Sequence, residues 1–306
     1  MDCLSVKIPV LKFEMEDWVA HHAKLEVCIV RESLKKIILP NLRRFLMNEY
    51  WFYGILLAGM LVIAYLRMKK KQRVYRRMPD REFPDQWQMI LEKRVPFYQR
   101  LSSPVRKDFE KKIHIFLLNY KIAGADIEIT DLDRVLIAAG AVIPTFRLEK
   151  WHYTKLEQIV VFPERFQIPE TDQKASGLVG WGEMEGQMWL SRKALYKGFH
   201  IDNDNKNVAI HEFIHLMDMQ DGLVDGVLEE LMEEADIEPW LQLVKDKSEK
   251  IGLDHVSIRE YAKANPVEFL ATTGEYYFES PNEMRSAHPE LYRALDKIFN
   301  PKANWF

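Results

Sequence analysis

The sequence predicts an α+β fold, mostly helical around a small sheet and preceded by one transmembrane helix. Three observations support this prediction: a 17-residue run without charge, long segments with helical apolar periodicity, and two short β-branched or aromatic runs bounded by Pro and Gly. The chain has 306 residues, 47% of them hydrophobic, which is enough to bury the core of one large domain. We expect this domain at residues 79–306, behind an N-terminal attachment.

The uncharged run is YWFYGILLAGMLVIAYL, residues 50–66. Seventeen helical residues rise about 25 Å, at the short end for a hydrocarbon core of about 30 Å. RMKKKQRVYRR follows, with seven basic residues and no acid, and such a run favours the cytoplasmic side. We expect a transmembrane signal anchor at 47–68 and a basic juxtamembrane linker at 69–78. The chain would then be a single-pass protein of the cell inner membrane, with residues 79–306 in the cytoplasm.

The first 46 residues lack the polar, apolar and small-residue regions of a cleavable signal peptide. Met47 opens MNEYWFYG, which is a natural beginning for a short signal anchor. Two interpretations of residues 1–46 follow: a mis-assigned start or a small amphipathic extension.

The domain opens with two segments that predict helices, at 83–101 and 103–124. In the second, Ser103 can cap the helix and Phe109, Ile113 and Phe116 form an apolar stripe. The next segment, 125–146, predicts a short strand followed by a buried alanine-rich helix. The runs EQIVVFPERF and GQMWLSRKAL predict strands, and the chain from Asn207 onward predicts mainly helices separated by prolines.

Charge and cysteine content exclude some classes of protein. Forty-three Lys and Arg against 46 Asp and Glu leave a net charge of -3, so no direct nucleic-acid binding is expected. Cys3 and Cys28 are the only cysteines, so neither disulfides nor a cysteine metal cluster can hold the main body together.

The stretch HEFIH carries the strongest chemical signal in the chain. His211 and His215 are four residues apart, and on a helix this spacing places both imidazoles on one face, where they can bind one zinc ion. Glu212 lies beside them and can reach a water on the metal. The motif is typical of zincin-type metallopeptidases, although a chance occurrence of H-E-x-x-H is the competing interpretation.

A hydrolytic zinc site takes three protein ligands, and the residues alone leave three candidates for the third. Asp221 stands where some zinc peptidases have a histidine, but Asp218 replaces the glycine that would turn the chain back. Glu268 and Glu275 lie two helical turns apart on one face, so the spacing cannot separate them.

The combined motifs resemble the Mlc titration factor A family of zinc peptidases, related to the catalytic domain of anthrax lethal factor. The resemblance is carried by HEFIHLMDMQDGLVDG, GQMWLSRKAL, YAKANPVEFLATTGEYYFESP and HPELYRALDKIFNP, and it extends over residues 83–301. It implies a zincin-type, gluzincin-like metallopeptidase domain. The family often reads N-E-A-E-F-F-A near the third ligand, where this chain has NPVEFLA.

The resemblance implies one Zn²⁺ ion bound by His211, His215 and Glu268, with Glu212 as general base. It implies Tyr261, seven residues before Glu268, as a hydroxyl donor to the reacting carbonyl, and Glu275 as a supporting acid. We interpret Asp218 either as a carboxylate that orients a metal-bound histidine or as a capping residue.

Two functions remain in competition at this point. The first is hydrolysis of a peptide or protein substrate, with aminopeptidase-like activity, and residues 187–192 (QMWLSR) as the sheet edge beside the substrate. The second, also implied by the resemblance, is a regulatory protein that sequesters a transcriptional regulator. A third interpretation is a zinc ion that only stabilises the fold.

Overall fold

The computed structural model describes residues 53, 55–62, 77–148, 151–180, 184–201, 204–251 and 258–301. The chain divides into two units, Met1–Tyr75 and Arg76–Phe306. In the first unit, residues 55–62 are helical and expose apolar side chains such as Ile55, Leu57 and Leu61. The predicted extension at 1–46, and most of the predicted anchor and linker, lie outside the described residues. Among the residues that are described, no helix is both long and apolar enough to cross a bilayer.

The second unit is mostly helical, which confirms the predicted class of a helical domain with a small sheet. Its α-helices, numbered in chain order, are α1 (Asp85–Arg94), α2 (Pro96–Gln99), α3 (Ser103–Asn119), α4 (Asp131–Thr145), α5 (Arg192–Gly198), α6 (Val208–Asp218), α7 (Glu234–Lys250), α8 (Pro266–Glu279), α9 (Pro281–Ala287) and α10 (Pro289–Phe299). A 3₁₀ turn, Glu260–Lys263, precedes α8.

Four strands form the main sheet in the order β1-β2-β6-β5, and two short strands form a separate hairpin. The strands are β1 (Lys121–Gly124), β2 (Gln158–Phe162), β3 (Phe166–Gln167), β4 (Lys174–Ala175), β5 (Gly177–Val179) and β6 (Gln187–Ser191). β1, β2 and β6 run parallel, whereas β5 pairs antiparallel with β6 and forms one edge.

The sheet and the helices share one core. Alternate residues of β2 and β6 are buried, among them Ile159 and Met188, as expected for strands with one face on the core. Helix α4 is buried along almost its whole length and packs against α6. The two helices approach so closely at Gly140 that an added Cβ would lie 2.4 Å from the Cβ of Ala209. The core therefore fixes the position of α6, the helix that carries HEFIH.

Local chemistry explains where α4 begins. Thr130 and Asp133 form a capping box, in which each side chain accepts a hydrogen bond from the other's backbone N–H. The buried Asp133 carboxylate also binds Arg192 at 2.8 Å and accepts from the Tyr196 hydroxyl at 2.9 Å, so it fastens α5 to α4.

Three predictions about these elements are wrong. The helix expected to run to residue 124 ends at Asn119, and KIAG forms strand β1. The short strand expected at the start of 125–146 is irregular backbone. Ser103 is the first residue of α3 rather than its cap: the N-cap is Ser102, whose side chain caps nothing.

Candidate metal centre

Helix α6 brings the two histidines of HEFIH to one point. The Asn207 side chain caps the helix by accepting from the backbone N–H of Ile210, so the helix begins one turn before His211. The Nε2 atoms of His211 and His215 lie 3.0 Å apart. Both imidazoles therefore face the same small volume, as the i, i+4 spacing predicts.

Helix α8 brings Glu268 to that volume. Asn265 caps α8 by accepting from the Glu268 backbone N–H at 2.9 Å, and Pro266 occupies the first helical position, where its missing N–H costs nothing. The Glu268 Oε2 atom lies 3.1 Å from His211 Nε2 and 3.6 Å from His215 Nε2. Pro266, which differs from the residue often found in the family, is therefore compatible with the first helical turn that carries Glu268.

The three side chains form a donor set for a metal ion. One nitrogen from each of His211 and His215 and one oxygen from Glu268 lie within 4.8 Å of one another. Two imidazoles and one carboxylate are the ligands of many catalytic zinc sites. The Glu268 Oε2 atom is buried and faces two imidazole nitrogens without a well-aligned hydrogen bond, so a cation between the three atoms would complete its surroundings. The residues thus fit a divalent metal ion.

Electrostatics at the site also favour a cation. Although burial opposes the charge on His211, the carboxylates of Glu275 and Glu268 raise its pKa to about 10. Although burial opposes ionisation of Glu268, the facing histidines hold the pKa of its carboxyl below the usual range. An electrostatic potential that stabilises a proton on a buried histidine would also stabilise a metal ion in the place of that proton.

Glu275 supports the site from behind. Its Oε1 atom lies 2.8 Å from His211 Nδ1, and its Oε2 atom accepts from the Asn207 backbone N–H at 2.5 Å. The carboxylate also pairs with the Arg259 guanidinium. A carboxylate on Nδ1 fixes the tautomer that leaves Nε2 free to bind a metal. Glu275 therefore faces the opposite nitrogen of His211 from Glu268.

Glu212 lies buried against the edge strand β5. A Cβ built on Gly177 of β5 would stand 2.2 Å from the Glu212 Oε1 atom, so the carboxylate fills the space that any larger residue would take. Burial raises the pKa of Glu212, and the neighbouring histidines offset part of that rise. A raised pKa suits a group that must accept a proton near neutral pH.

Tyr261 lies at the mouth of the site, on the 3₁₀ turn. Its ring centroid is 6.0 Å from that of His211, and the residue remains 55% exposed. Partial burial and the neighbouring Glu268 carboxylate raise the pKa of Tyr261 to about 12. Its hydroxyl therefore stays protonated at neutral pH and can donate a hydrogen bond.

The remaining candidates lie elsewhere. Asp221 is exposed and accepts from the Leu223 backbone N–H in a turn. Asp218 is buried and accepts from the Gly226 backbone N–H at 3.0 Å, so it caps the loop that follows α6. Sequence reasoning did not single out Arg259 or Gly177, because only the packing of distant segments reveals their contacts.

The predicted sheet edge at 187–192 is wrong. Strand β6 lies between β2 and β5, with partners on both sides, so its backbone is already paired. The edge next to the HEFIH helix is β5, residues 177–179.

This donor set on two packed helices, with an acid between the histidines, is the arrangement found in metallopeptidases. A family model described as glucose-regulated metallo-peptidase M90 matches residues 66–300, and the chain belongs to that family. This confirms the resemblance found in the sequence.

Two kinds of relative illustrate the family. An uncharacterized protein of Synechocystis sp. is 31% identical over 236 residues, which cover 72% of this chain and 85% of the relative. Mlc titration factor A of Pectobacterium atrosepticum is 26% identical over 232 residues, covering 70% and 85% of the two chains. The protein of the same name from Yersinia enterocolitica is 24% identical over 234 residues, with the same two shares.

Proposed function

We propose that the chain is a zinc-dependent peptidase in which His211, His215 and Glu268 bind one Zn²⁺ ion. The observation that carries the proposal is the convergence of their three donor atoms, one of which is a buried carboxylate oxygen that faces both imidazoles without a well-aligned hydrogen bond. Two histidines and a carboxylate are a set of three protein ligands that hydrolytic zinc sites use.

The side chains around this position have distinct roles. Zinc would polarise the scissile carbonyl and supply a water whose pKa is lowered toward about 7. Glu212 would accept a proton from the attacking water and later deliver it to the departing amine. Tyr261 donates a hydrogen bond to the oxygen that becomes negative in the tetrahedral intermediate. Its exposure lets it meet a substrate from the solvent side.

The substrate of the proposed reaction is a peptide or a protein, with an aminopeptidase-like mode of cleavage. The edge strand β5 supports this substrate class, because an extended peptide can add to a sheet edge through backbone hydrogen bonds. Gly177 places that edge directly against Glu212, so a peptide on β5 would lie beside the proposed base.

Metal content and peptide hydrolysis, measured together, test the proposal. The full chain should carry one zinc ion and hydrolyse peptides, Glu212→Gln should keep the zinc and lose hydrolysis, and Glu268→Ala should lose both. Glu249→Gln, at an exposed acid near the end of α7, is the control and should match the wild type. Hydrolysis by Glu212→Gln at the wild-type rate would refute the proposed base.

A second candidate function is capture of a regulatory protein, such as a transcriptional regulator. The relatives named Mlc titration factor A favour it, because that name describes titration of another protein. Glu212→Gln separates the candidates: partner capture should survive in this variant while hydrolysis is lost. A wild type that holds its zinc but hydrolyses no peptide in a broad library would leave capture as the function.

We also propose that residues 50–66 anchor the chain in the inner membrane, with the peptidase domain in the cytoplasm. The support is the uncharged run and the basic residues that follow it. Membrane fractionation of the full chain tests this. The wild type should resist extraction by alkaline carbonate, whereas Leu57→Arg with Leu61→Arg should release the protein. A wild type in the soluble fraction would contradict the anchor.

A further inference from the structure

The segment that carries Tyr261 is short and packs against α8. Glu260–Lys263 is a single 3₁₀ turn, too short to be stable by its own hydrogen bonds. Ile258 and Ala262 are buried and anchor the backbone on either side of Tyr261. The Tyr261 ring itself is more than half exposed, so apart from the hydrogen bond between its hydroxyl and Glu268 little packing holds it near His211.

Arg259 adds a polar anchor two residues before Tyr261. Its guanidinium pairs with the Glu275 Oε1 atom, the same oxygen that faces His211 Nδ1. The Glu275 side chain is 2% exposed, and its other oxygen accepts from the Asn207 backbone. Every oxygen of Glu275 is therefore engaged, and one of them joins the Tyr261 segment to the histidine.

We propose that Arg259 is a positioning residue that sets the place of the Tyr261 hydroxyl relative to His211. The inference rests on the proposed function, since it assigns Tyr261 a role in hydrolysis. Arg259 does not face the substrate: it acts by fastening the 3₁₀ turn to the carboxylate that orients the histidine. A displacement of about 1 Å at a reacting group can cost about 100-fold in rate, so a tether of this kind has a measurable effect.

A matched ion pair elsewhere in the domain separates positioning from simple stability. Arg192 pairs with the buried Asp133 at 2.8 Å and is 23% exposed, against 25% for Arg259. Both pairs join a half-buried arginine to a buried acid. Arg192 lies on α5, which carries none of the proposed site residues.

Two variants in two backgrounds test the proposal in the full chain. Arg259→Gln should lower kcat about tenfold with little change in KM, and Arg259→Lys should recover part of the loss. In a Tyr261→Phe background, Arg259→Gln should have almost no further effect, because the hydroxyl that it positions is gone. Arg192→Gln should have the same effect in both backgrounds. An equal loss of kcat from Arg259→Gln in both backgrounds would overturn the proposal.

A spectroscopic measurement tests whether Arg259 positions Tyr261 without an assay of hydrolysis. 3-Fluorotyrosine at position 261 gives a ¹⁹F resonance that reports the surroundings of the ring. The resonance should shift or broaden in Arg259→Gln and stay unchanged in Arg192→Gln. If the resonance is the same in wild type and Arg259→Gln, Arg259 does not position Tyr261. If the wild type hydrolyses nothing but the resonance moves, the proposed function fails while the tether stands.

Discussion

The first and third turns of α8 each present a glutamate to the same histidine of α6, yet the two carboxylates differ in every other respect. Glu268, in the first turn, has a side chain 18% exposed, and its Oε2 atom faces two Nε2 atoms without a well-aligned hydrogen bond. Glu275, in the third turn, is 2% exposed and accepts from a histidine, an arginine and a backbone N–H. This difference supports Glu268 as the proposed metal ligand and Glu275 as the residue that orients His211 from behind.

The supports of the two turns also differ. Glu275 is held by side chains inside the core. The first turn is held from outside, by the Asn265 cap and by the loop after α6, where Asp218 accepts from the Gly226 N–H. Gly226 has a φ of +79°, and an added Cβ would meet the Pro266 carbonyl oxygen at 2.5 Å. This glycine therefore lets the loop pack directly on the turn that carries Glu268.

The largest effect should come from Glu268→Gln. The neutral amide is a poor metal ligand, so hydrolysis should fall to background. Zinc affinity should fall by more than about 100-fold, which is the loss reached when a residue that does not bind the metal itself is changed. Competition with a chelator of known affinity measures the zinc affinity, and a peptide assay measures hydrolysis. Zinc affinity within tenfold of the wild type would show that Glu268 is not the ligand.

Glu275→Gln should have a smaller effect on the metal. Loss of the carboxylate behind a metal-bound histidine costs about 10- to 100-fold in affinity, and the metal should still bind. The variant also leaves the Arg259 charge without its buried partner, so the free energy of unfolding should fall by about 3 kcal/mol. The same chelator titration measures the zinc affinity, and urea denaturation measures the free energy of unfolding. A greater loss of zinc here than in Glu268→Gln would reverse the assignment of the two glutamates.

The loop that supports the first turn should show a pH dependence. Burial and the nearby Asp225 raise the pKa of Asp218 to about 7, although the Gly226 N–H offsets part of the rise. The folded state therefore binds a proton more tightly than the unfolded state, and this contribution to stability is lost as pH rises from about 4 through 7.

Asp218→Asn tests this expectation, because its amide stays neutral while Oδ1 can still accept from Gly226. The stability of the wild type relative to the variant should fall by on the order of 2 kcal/mol between pH 5 and pH 8. Urea denaturation of both proteins at several pH values gives the difference. A constant difference across this range would mean that Asp218 is ionised throughout.

The smallest effect should come from Asn265→Ala, which removes the cap of α8. The expected loss is about 1 kcal/mol of stability, with a modest loss of zinc affinity because the first turn frays around Glu268. Asn207→Ala, at the cap of α6, is the matched comparison. If the Asn265 change left zinc affinity intact while Asn207→Ala lowered it, the cap of α8 would not matter for Glu268.

The convergence of His211 and His215 could be predicted from the sequence because the signals for it are local. The spacing of His211 and His215 defines one helical face, and a helix begins where the cap Asn207 and the apolar run place it. The spacing of Glu268 and Glu275 could not separate them, since both lie on one face of α8. The two glutamates are distinguished only by the position along α8 at which this helix packs against α6. The packing of the whole core sets that position.

The sheet was predicted less well for a similar reason. Whether a strand is internal or at an edge depends on partners far away in sequence, and β5 is only three residues long and begins with glycine. Such a strand lacks the alternating pattern that identified β2 and β6. KIAG continues the apolar character of α3, so nothing in its composition separates strand β1 from the helix before it.

Gly177 has a consequence for how this protein tolerates mutation. It holds no functional group, but the Glu212 carboxylate occupies the space of its absent side chain. Even alanine would have to displace the proposed base, whose side-chain atoms are the three nearest to the added Cβ. When every residue is substituted and activity is measured, substitutions at position 177 should therefore be as damaging as those in HEFIH. When the amount of folded protein is measured instead, they should have almost no effect.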